Sequence, residues 1–362
     1  MRDSWILAIL SALALLFMAA LAWKTRDRSF TGHNDFVQLY TGARLVGTSH
    51  LYDSERVRQV QLERVGVTGP AWRYTRLPYY GVLLWPLGRL PYRAAYLVWQ
   101  AAALGALVAF VLIWQPASAP LPIGVKALFT SLSLPVFAGL MNGQDVTFLL
   151  LWLALAVRSN DAGRPFQAGL LLSLCAAKFH LFVLLPALIL GQRNWRLAGG
   201  LAAGGSALGV LSFAAGGLDW PLQYYRVLTD PGVHPSAGNM PNIHGMLSIL
   251  DLPRDLEWPL AAATALAVWL VARRASFPVA LAATLAGGLL VSYHAYLPDS
   301  SLLLPAGLTV VSSTRSLLVR VLALWLLIPV GYFLLLGSTP AAAAAPVSLL
   351  LLIAAMALET RR

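Results

Sequence analysis

Long apolar runs, separated by short polar connections, dominate this sequence and limit what it can fold into. The first run covers residues 4–23, and about eleven more follow a polar segment that ends near residue 91. Backbone polar groups find no partner in hydrocarbon, so such runs cross a membrane as helices. The runs therefore predict an all-α integral membrane protein of about ten to twelve transmembrane helices, in a single polytopic membrane domain over residues 1–362.

The lengths of the runs add two further expectations. The first run is longer than the apolar core of a signal peptide, so we expect it to be a retained transmembrane helix. Several later runs are shorter than the roughly 20 residues that cross a bilayer unaided. Because short and broken helices are tolerated only where protein or a wet cavity covers their ends, these runs predict an internal cavity near one face.

Composition excludes the other large classes of protein. Hydrophobic residues make up 58% of the chain and charged residues 11%, against about 45–50% and 25% in soluble domains. These values exclude a soluble enzyme and a disordered chain, and the single cysteine, Cys175, excludes a disulfide scaffold. The net charge of +11 does not predict nucleic-acid binding, because the basic residues lie in short connections rather than on one face.

The basic residues instead predict the orientation, because Lys and Arg in short loops gather on the cytoplasmic side. The opposite short loops hold only Lys178, Arg226 and Arg254. We therefore expect both termini in the cytoplasm of a bacterial-type inner or plasma membrane, with residues 24–91 as a first outer loop and 218–257 as a second. A span gained or lost within residues 166–190 would invert everything after it. The cytoplasmic connections would carry Arg2, Arg158, Arg164, Arg193, Arg196, Arg273, Arg274, Arg315, Arg320, Arg361 and Arg362.

The first outer loop is the only long polar stretch. Within it, Ser54–Val65 carries Val57 and Val60 at near-helical spacing among charged residues, which predicts a short interfacial helix. Residues 79–87 are apolar but too short to span and are interrupted by Pro86, so we expect them to dip into the bilayer edge.

Polar residues that are unusual in such a chain fall in five segments, all on the predicted outer face. Ionisable groups near membrane depth are costly and mark functional cavities. We therefore expect the five segments to line one site. Their polar residues are His33, Asn34 and Asp35; Asn142, Gln144 and Asp145; Lys178 and His180; His234, Asn239, Asn242 and His244; and His294 and Asp299.

Each segment also has a structural interpretation, which the sequence leaves open. Asp35 is a suitable N-cap for a helix over residues 36–46. Residues 142–145 have the composition of a tight turn, and Lys178 has a side chain long enough to snorkel to the interface. Single histidines such as His33, His50 and His234 are more often structural than catalytic.

The sequence contains no metal or nucleotide motif. A cation would have to be held by Asp35, Asp145 or Asp299, which lie on three separate loops, and the histidines are scattered. The glycines of residues 199–209 lie in an apolar run at the spacing of helix packing, not of a phosphate loop. We therefore expect neither a metal nor a nucleotide cofactor.

The five segments resemble one known family, the membrane glycosyltransferases of family 87. Residues 33–53 (HNDFVQLYTGARLVGTSHLYD) are similar to its first outer loop at Asp35, Tyr40, Ala43, Gly47, Leu51, Tyr52 and Asp53. The later segments are similar to it at Asn142, Gly143 and Gln144; at Lys178 and Pro186, before a basic turn at 193–196; at Asn242, His244 and Gly245; and at His294. The chain departs from the family pattern at Lys178-Phe179, where Lys-Pro is usual, and at residues 74–78, where Tyr-Pro-Pro is usual.

The resemblance implies a GT-C fold and a mannosyltransferase-like activity. Such an enzyme moves a sugar (mannose or a similar hexose or pentose) from a polyprenyl-phosphate donor to a lipid or glycan acceptor on the extracytoplasmic face. It also implies that Asp35 is the catalytic base. The implied partners are the donor, which is a co-substrate, the acceptor and membrane lipids, with no nucleic acid.

The chemistry of that transfer suggests roles for the other polar residues. One carboxylate is enough, because a phosphate leaving group needs no acid to protonate it. Charge develops on the phosphate as the bond breaks, so fixed donors are expected around it. We expect the phosphate to contact Lys178, His294, His244 and Arg76, with Arg73 as a second choice, and the sugar or acceptor to contact Asn142, Gln144, Asn242, Trp72 and Tyr74.

Two other classes of function remain as alternatives. A polytopic transporter or lipid flippase of the cell envelope would have a similar number of spans, but such proteins tend to show repeated halves and charges at the bilayer midplane. A non-catalytic partner in an envelope complex is the other, and it predicts that Asp35 faces away from any cavity.

Overall fold

The computed structural model describes residues 2–233, 237–337 and 339–360, and in these ranges the chain is helical without any β-strand. Helix makes up 78% of the structure. The α-helices are α1 (Arg2–Phe30), α2 (Phe36–Leu45), α3 (Ser54–Val65), α4 (Pro78–Gly88), α5 (Tyr92–Ile113), α6 (Ile123–Leu132), α7 (Leu134–Met141), α8 (Val146–Asp161), α9 (Pro165–Ser173), α10 (Leu185–Gln192), α11 (Trp195–Gly216), α12 (Trp220–Leu228), α13 (Ile243–Ile249), α14 (Glu257–Ala272), α15 (Phe277–Val291), α16 (Leu303–Ser313), α17 (Leu317–Leu327), α18 (Val330–Leu336) and α19 (Ala344–Glu359). Short 3₁₀ helices cover Leu174–Phe182, Pro231–Val233, Ala237–Asn239, Arg254–Leu256, Leu297–Leu302 and Pro340–Ala343.

Six helical segments of the described chain are long and apolar enough to cross a membrane. Two bent pairs, α6 with α7 (60°) and α17 with α18 (55°), raise the number to eight if each pair is one span. The prediction of an all-α membrane protein is therefore confirmed, whereas the count of ten to twelve spans is not. Several predicted runs form helices that are too short, such as α8 with 16 residues and α10 with 8.

The first outer loop folds into three short helices. The helix predicted at Ser54–Val65 is confirmed as α3, and its N-terminus is capped by Asp53, whose side chain accepts from the backbone N–H groups of Glu55 and Arg56. The apolar residues 79–87 lie within α4, which begins at a proline as first turns allow and contains Pro86. Helices α2 and α4 pack closely, since a Cβ on Gly88 would lie 2.8 Å from the backbone of Ala43.

Close helix packing also explains the glycines of α11. A Cβ on Gly200 would lie 2.0 Å from the carbonyl oxygen of Phe166, and one on Gly204 would lie 2.1 Å from the hydroxyl of Ser173. Helix α9 therefore approaches α11 on this face, as the small-residue spacing predicts. The 3₁₀ segment Leu174–Phe182 continues directly from α9, so this contact helps to hold it.

The core lies around α15, which is apolar on all sides. Nearly all of its residues are buried, and it packs against α10, α14, α16 and α19. A Cβ on Gly288 would lie 2.1 Å from the carbonyl oxygen of Leu181, so α15 also touches the 3₁₀ segment Leu174–Phe182. This segment is therefore held between α9 and the core, and it carries the lysine of the candidate site.

Candidate active site

One cavity of about 860 Å³ receives side chains from all five polar segments. These are Asp35; Asn142 and Gln144; Lys178 and His180; Asn239; and His294 and Asp299. The expected convergence of the five segments is therefore observed. Of the ten site residues predicted from the sequence, seven line this cavity, namely Asp35, Trp72, Arg76, Asn142, Gln144, Lys178 and His294.

Asp35 stands immediately before α2, at the N-cap position, but its carboxylate does not cap the helix. Asn34 takes that place, because its Oδ1 accepts from the backbone N–H of Phe36 at 3.0 Å. Asp35 Oδ2 instead accepts from Gln144 Nε2 at 2.5 Å. The capping interpretation thus fails for this side chain, which is free to serve the cavity.

Burial raises the pKa of Asp35 above the ordinary value of an aspartate. The hydrogen bond from Gln144 and the positive charges of Lys178 and Arg76 oppose that rise. A carboxyl group with a raised pKa holds a proton more readily than a solvent-exposed one, which suits a group that must accept a proton.

The turn before α8 brings Gln144 next to Asp35. Gly143 has a φ of +63°, and the backbone N–H of Gln144 donates to the carbonyl of Gly139 at 2.8 Å, so the tight turn expected here is present. A Cβ on Gly143 would lie only 2.7 Å from Cβ of Phe36, the first residue of α2. The glycine therefore allows the turn to touch the start of α2, and the turn also has a role in the cavity.

Lys178 interrupts the 3₁₀ segment Leu174–Phe182 with φ −132° and ψ 53°. Its side chain is 4% exposed and does not snorkel to the interface. The ammonium group donates to Gln144 Oε1 at 2.7 Å and to Asp299 Oδ1 at 2.5 Å. Asp299 is itself held by the backbone N–H of Tyr296, which donates to its Oδ2 at 2.8 Å.

Arg76 forms the second buried ion pair of the site. Its Nε donates to Asp145 Oδ2 at 2.9 Å and its Nη2 donates to Oδ1 at 3.1 Å. Burial opposes ionisation of Asp145, but Arg76 and Lys178 together keep its pKa below the ordinary value. Lys178 Nζ lies 3.8 Å from Asp145, so the two pairs join into one network.

This network compensates its own charges. Arg76 and Lys178 carry two positive charges, and Asp145 and Asp299 carry two negative ones. Taking either cation away from its carboxylate would leave a buried charge unpaired, which is strongly unfavourable. Asp35 is therefore a third carboxylate, outside the paired charges. Lys178 and Arg76 act on it together with the carboxylates that they bind.

His294 lies in the cavity beside His180, which belongs to the five polar segments but received no role from the sequence. The ring centroids of His180 and His294 are 6.0 Å apart, in an edge-to-face arrangement, and His294 also lies 4.8 Å from the ring of Tyr296. The buried Nε2 of His180 has no hydrogen-bond partner among the described residues. The sequence had placed His180 in the same polar segment as Lys178, two residues away.

Three predicted site residues do not line the cavity. His244 hydrogen-bonds through Nδ1 to Glu257 and packs on the ring of Tyr293. Asn242 is fully buried and caps α13, accepting from the backbone N–H of Gly245 and donating to the carbonyl of Ser292. Tyr74 is buried between Tyr52 and Gly42. These contacts explain why the three side chains do not reach the cavity. His234, from the same polar segment as Asn242 and His244, lies outside the described residues.

Trp72 and Asn142 are the most exposed of the seven predicted residues that line the cavity. Both backbone groups of Trp72 are held by Gln61, whose amide donates to the carbonyl at 2.8 Å and accepts from the N–H at 3.0 Å. Asn142 ends α7. Their side chains remain available to a ligand in the cavity.

No group of three or more His, Cys, Asp or Glu side chains in the described part of the chain is arranged to hold a metal ion. Of the three carboxylates that would have to hold a cation, Asp145 and Asp299 are paired with Arg76 and Lys178. The expectation that no metal takes part remains a prediction.

A second cavity of about 590 Å³ lies on the other side of α7. Ala138 and Asn142 line the first cavity, whereas Phe137, Leu140 and Met141 line the second. The remaining lining of the second cavity comes mainly from apolar residues of α1, α5 and α6. Helix α7 thus separates the cavity that holds the polar side chains from an almost wholly apolar one.

Comparison with known proteins agrees with this picture. The model of "Glycosyltransferase family 87" matches residues 74–298, which is more than half of the 362 residues. The match includes Arg76, the 142–145 turn, Lys178 and His294, and it begins after Asp35. Neither the curated proteins nor the solved structures compared with this chain include a match. With its apolar helices of membrane-spanning length, the chain is a membrane glycosyltransferase that belongs to glycosyltransferase family 87.

Proposed function

We propose that this protein transfers a sugar from a polyprenyl-phosphate donor to a lipid or glycan acceptor on the extracytoplasmic face, with inversion and with Asp35 as the base. The observation that carries the proposal is the Asp35 carboxylate, which lines the cavity of about 860 Å³ and has one oxygen held by Gln144. A non-catalytic role would instead predict that Asp35 faces away from any cavity.

In the proposed reaction, a hydroxyl oxygen of the acceptor forms a bond to the anomeric carbon of the sugar. The bond between that carbon and the phosphate oxygen breaks on the opposite face, and the electron pair leaves with the phosphate. The hydroxyl proton passes to Asp35, so atoms and charge balance without an additional acid. Burial of the carboxylate favours its proton-bound form, which supports this role.

The charge network limits which groups contact the donor phosphate directly. Lys178 and Arg76 already bind carboxylates, so we propose that they act on the phosphate through the dipoles of these ion pairs, from the wall of the cavity. His294 is the proposed direct contact, with His180 beside it. His244 lies outside this cavity, bonded to Glu257, and has no role in the proposal.

The remaining lining fits the rest of a lipid-linked sugar. We propose that Asn142 hydrogen-bonds sugar hydroxyls and that Trp72 stacks on an apolar sugar face, because both residues line the cavity and are exposed. The apolar cavity behind α7 is suited to the chain of a polyprenyl lipid. Its walls are almost entirely hydrocarbon, as a lipid chain requires.

The test is the Asp35→Asn variant, assayed in membranes with a panel of radiolabelled polyprenyl-phosphate sugars and with lipid extract as acceptor. Loss of a general base lowers the rate by about 10²–10⁴-fold. Asp27→Asn is the matched control, because Asp27 is exposed near the end of α1. We expect that control to transfer sugar at the wild-type rate and Asp35→Asn to be folded but inactive.

Two outcomes would count against the proposal. Transfer at the wild-type rate by Asp35→Asn would remove Asp35 as the base. Absence of transfer from every sugar of the panel by the wild-type protein would remove the donor class, and movement of the lipid across the membrane without transfer would favour the transporter or flippase alternative.

A further inference from the structure

Gln144 joins the proposed base to the buried charge network, and both ends of its side-chain amide are used. Its Oε1 accepts from Lys178 Nζ at 2.7 Å, and its Nε2 donates to Asp35 Oδ2 at 2.5 Å. Lys178 is in turn bound to Asp299. A continuous chain of hydrogen bonds therefore runs from Asp299 through Lys178 and Gln144 to Asp35.

The lysine determines which way the amide faces. A lysine ammonium group has only donors, so the amide atom beside it must be the oxygen. The NH₂ group is then directed at Asp35. Because an NH₂ group can only donate, it is matched to an ionised carboxylate, which accepts at both oxygens. The other amide orientation would place an oxygen against a carboxylate and an NH₂ group against an ammonium.

The backbone of the turn holds this side chain at a defined distance from α2. The Gln144 N–H donates to the carbonyl of Gly139, and Trp99 Nε1 donates to the carbonyl of Gly143 at 2.9 Å. The turn touches the first residue of α2 through Gly143. The turn that carries Gln144 is therefore held against the start of α2, next to Asp35, which leaves the Gln144 side chain little freedom.

We propose that Gln144 is a positioning residue for Asp35: its amide, polarised by Lys178, fixes one carboxylate oxygen and leaves the other directed at the acceptor hydroxyl. This inference rests on the proposed function of Asp35. Among the described residues, Oδ1 of Asp35 has no hydrogen-bond partner, whereas Oδ2 is held by Gln144. Both ends of the Gln144 amide bond within the protein, so we propose this positioning role in place of the sugar contact that the sequence predicted.

The electrostatic surroundings of Asp35 make this contact important. Lys178 and Arg76 favour its ionised form, whereas burial and the charge of Asp299 disfavour it. The hydrogen bond from Gln144 is the strongest of the influences that keep its pKa from rising further. Removing the amide would therefore raise the pKa of Asp35, so a larger part of the protein would hold a protonated and inactive base at a given pH.

The experiment compares Gln144→Leu and Gln144→Glu with the wild-type protein, using the polyprenyl-phosphate sugar that the wild type accepts. We expect kcat to fall by about 10–100-fold while the donor KM changes by less than about threefold, since the loss is of orientation rather than of binding. The acid limb of the pH profile of kcat/KM should move to higher pH in both variants, and further in Gln144→Glu, where two carboxylates face each other. Gln144→Glu keeps the size of the side chain if Gln144→Leu does not fold.

Gln192→Leu is the matched control. The Gln192 amide also makes two hydrogen bonds, to the carbonyls of Ala272 and Ala275 at the end of α14, and it does not line the cavity. We expect its kcat and pH profile to equal those of the wild type. A Gln144→Leu variant with a raised donor KM, an unchanged kcat and an unmoved acid limb would overturn the inference, because that pattern belongs to a sugar contact.

Infrared difference spectroscopy separates this inference from the proposed function. The band of the protonated Asp35 carboxyl group is identified by its absence in Asp35→Asn, and its midpoint is followed with pH in the full-length protein. If the wild type transfers no sugar but the midpoint still rises in Gln144→Leu, the proposed function fails and the positioning contact stands. If the wild type is active and the midpoint is the same in both proteins, the positioning role fails.

Discussion

Replacing Arg76 with methionine is expected to destabilise the protein, because it removes the main partner of a buried carboxylate. Arg76 and Asp145 form a bidentate pair, at 2.9 and 3.1 Å, with side chains only 10% and 1% exposed. Removing one partner of such a pair costs about 3–5 kcal/mol, since the other charge stays buried without compensation. Lys178 remains 3.8 Å from Asp145, so we expect a loss near the lower end, about 3 kcal/mol.

Removing the carboxylate instead of the arginine should lower the free energy of unfolding by more, because it leaves the Arg76 charge unpaired. In Asp145→Asn, the guanidinium group of Arg76 keeps no carboxylate at hydrogen-bond distance among its described partners. The double variant Arg76→Met/Asp145→Leu removes both charges and replaces them with apolar side chains. It should be more stable than either single variant, because neither charge is left unpaired.

Thermal unfolding of the purified protein in detergent measures these effects. A loss of about 3 kcal/mol corresponds to a fall in Tm of roughly 4 °C for a chain of 362 residues, because the entropy of unfolding is about 2.1 cal/mol/K per residue. Arg58→Met is the matched control, because Arg58 pairs with Glu55 at 2.6 Å but both side chains are largely exposed. Its Tm should equal that of the wild type. Single variants with a wild-type Tm, or a double variant that loses the sum of both single effects, would refute the reasoning.

Two further predictions follow from the geometry of the site. Gly143→Ala should lower the transfer rate by more than about tenfold, because the new Cβ would press on Phe36 and displace the start of α2 beside Asp35. Gly163 is the matched control, because it has a similar positive φ but open space around it. Gly163→Ala should lose only about 1–2 kcal/mol of stability and keep its activity. Equal transfer rates in the two variants would show that the contact with Phe36 is unimportant. In steady-state assays with varied donor, His294→Gln should raise the donor KM by about tenfold, whereas His244→Gln should leave it within about twofold of the wild-type value. A raised donor KM in His244→Gln would show that His244 contacts the phosphate after all.

The predictable part of the fold is the part that depends on local pattern. Helix α3 begins and ends where the charges and valines of Ser54–Val65 indicate, because its Asp53 cap and its residues are contiguous in the chain. The break at Lys178 was not predictable in the same way, because the sequence left open whether residues 166–190 form one span or two. The number of spans was not predictable either, because an apolar run of ten to sixteen residues forms a buried helix as readily as part of a membrane span.

The candidate site was predicted as a set of segments, but not as a set of contacts. The sequence indicated that Asp35, Asn142, Gln144, Lys178 and His294 belong together, and these residues do line one cavity. It did not indicate that His244 would hydrogen-bond to Glu257. Two residues away, Asn242 caps α13, so one segment supplied two apparent ligands that serve the structure instead.

The sequence by itself determined that this chain is a helical membrane protein whose few polar residues are grouped in five connections, because burial of apolar surface and the spacing of charges are properties of single segments. Only the tertiary structure decided which of those polar groups are paired. Lys178 and Asp299 are 121 residues apart, and Arg76 and Asp145 are 69 apart, so their contacts depend on how the helices pack. A buried charge must find a partner, and the packing that supplied partners to both cations left Asp35 in the cavity with one oxygen fixed and the other free.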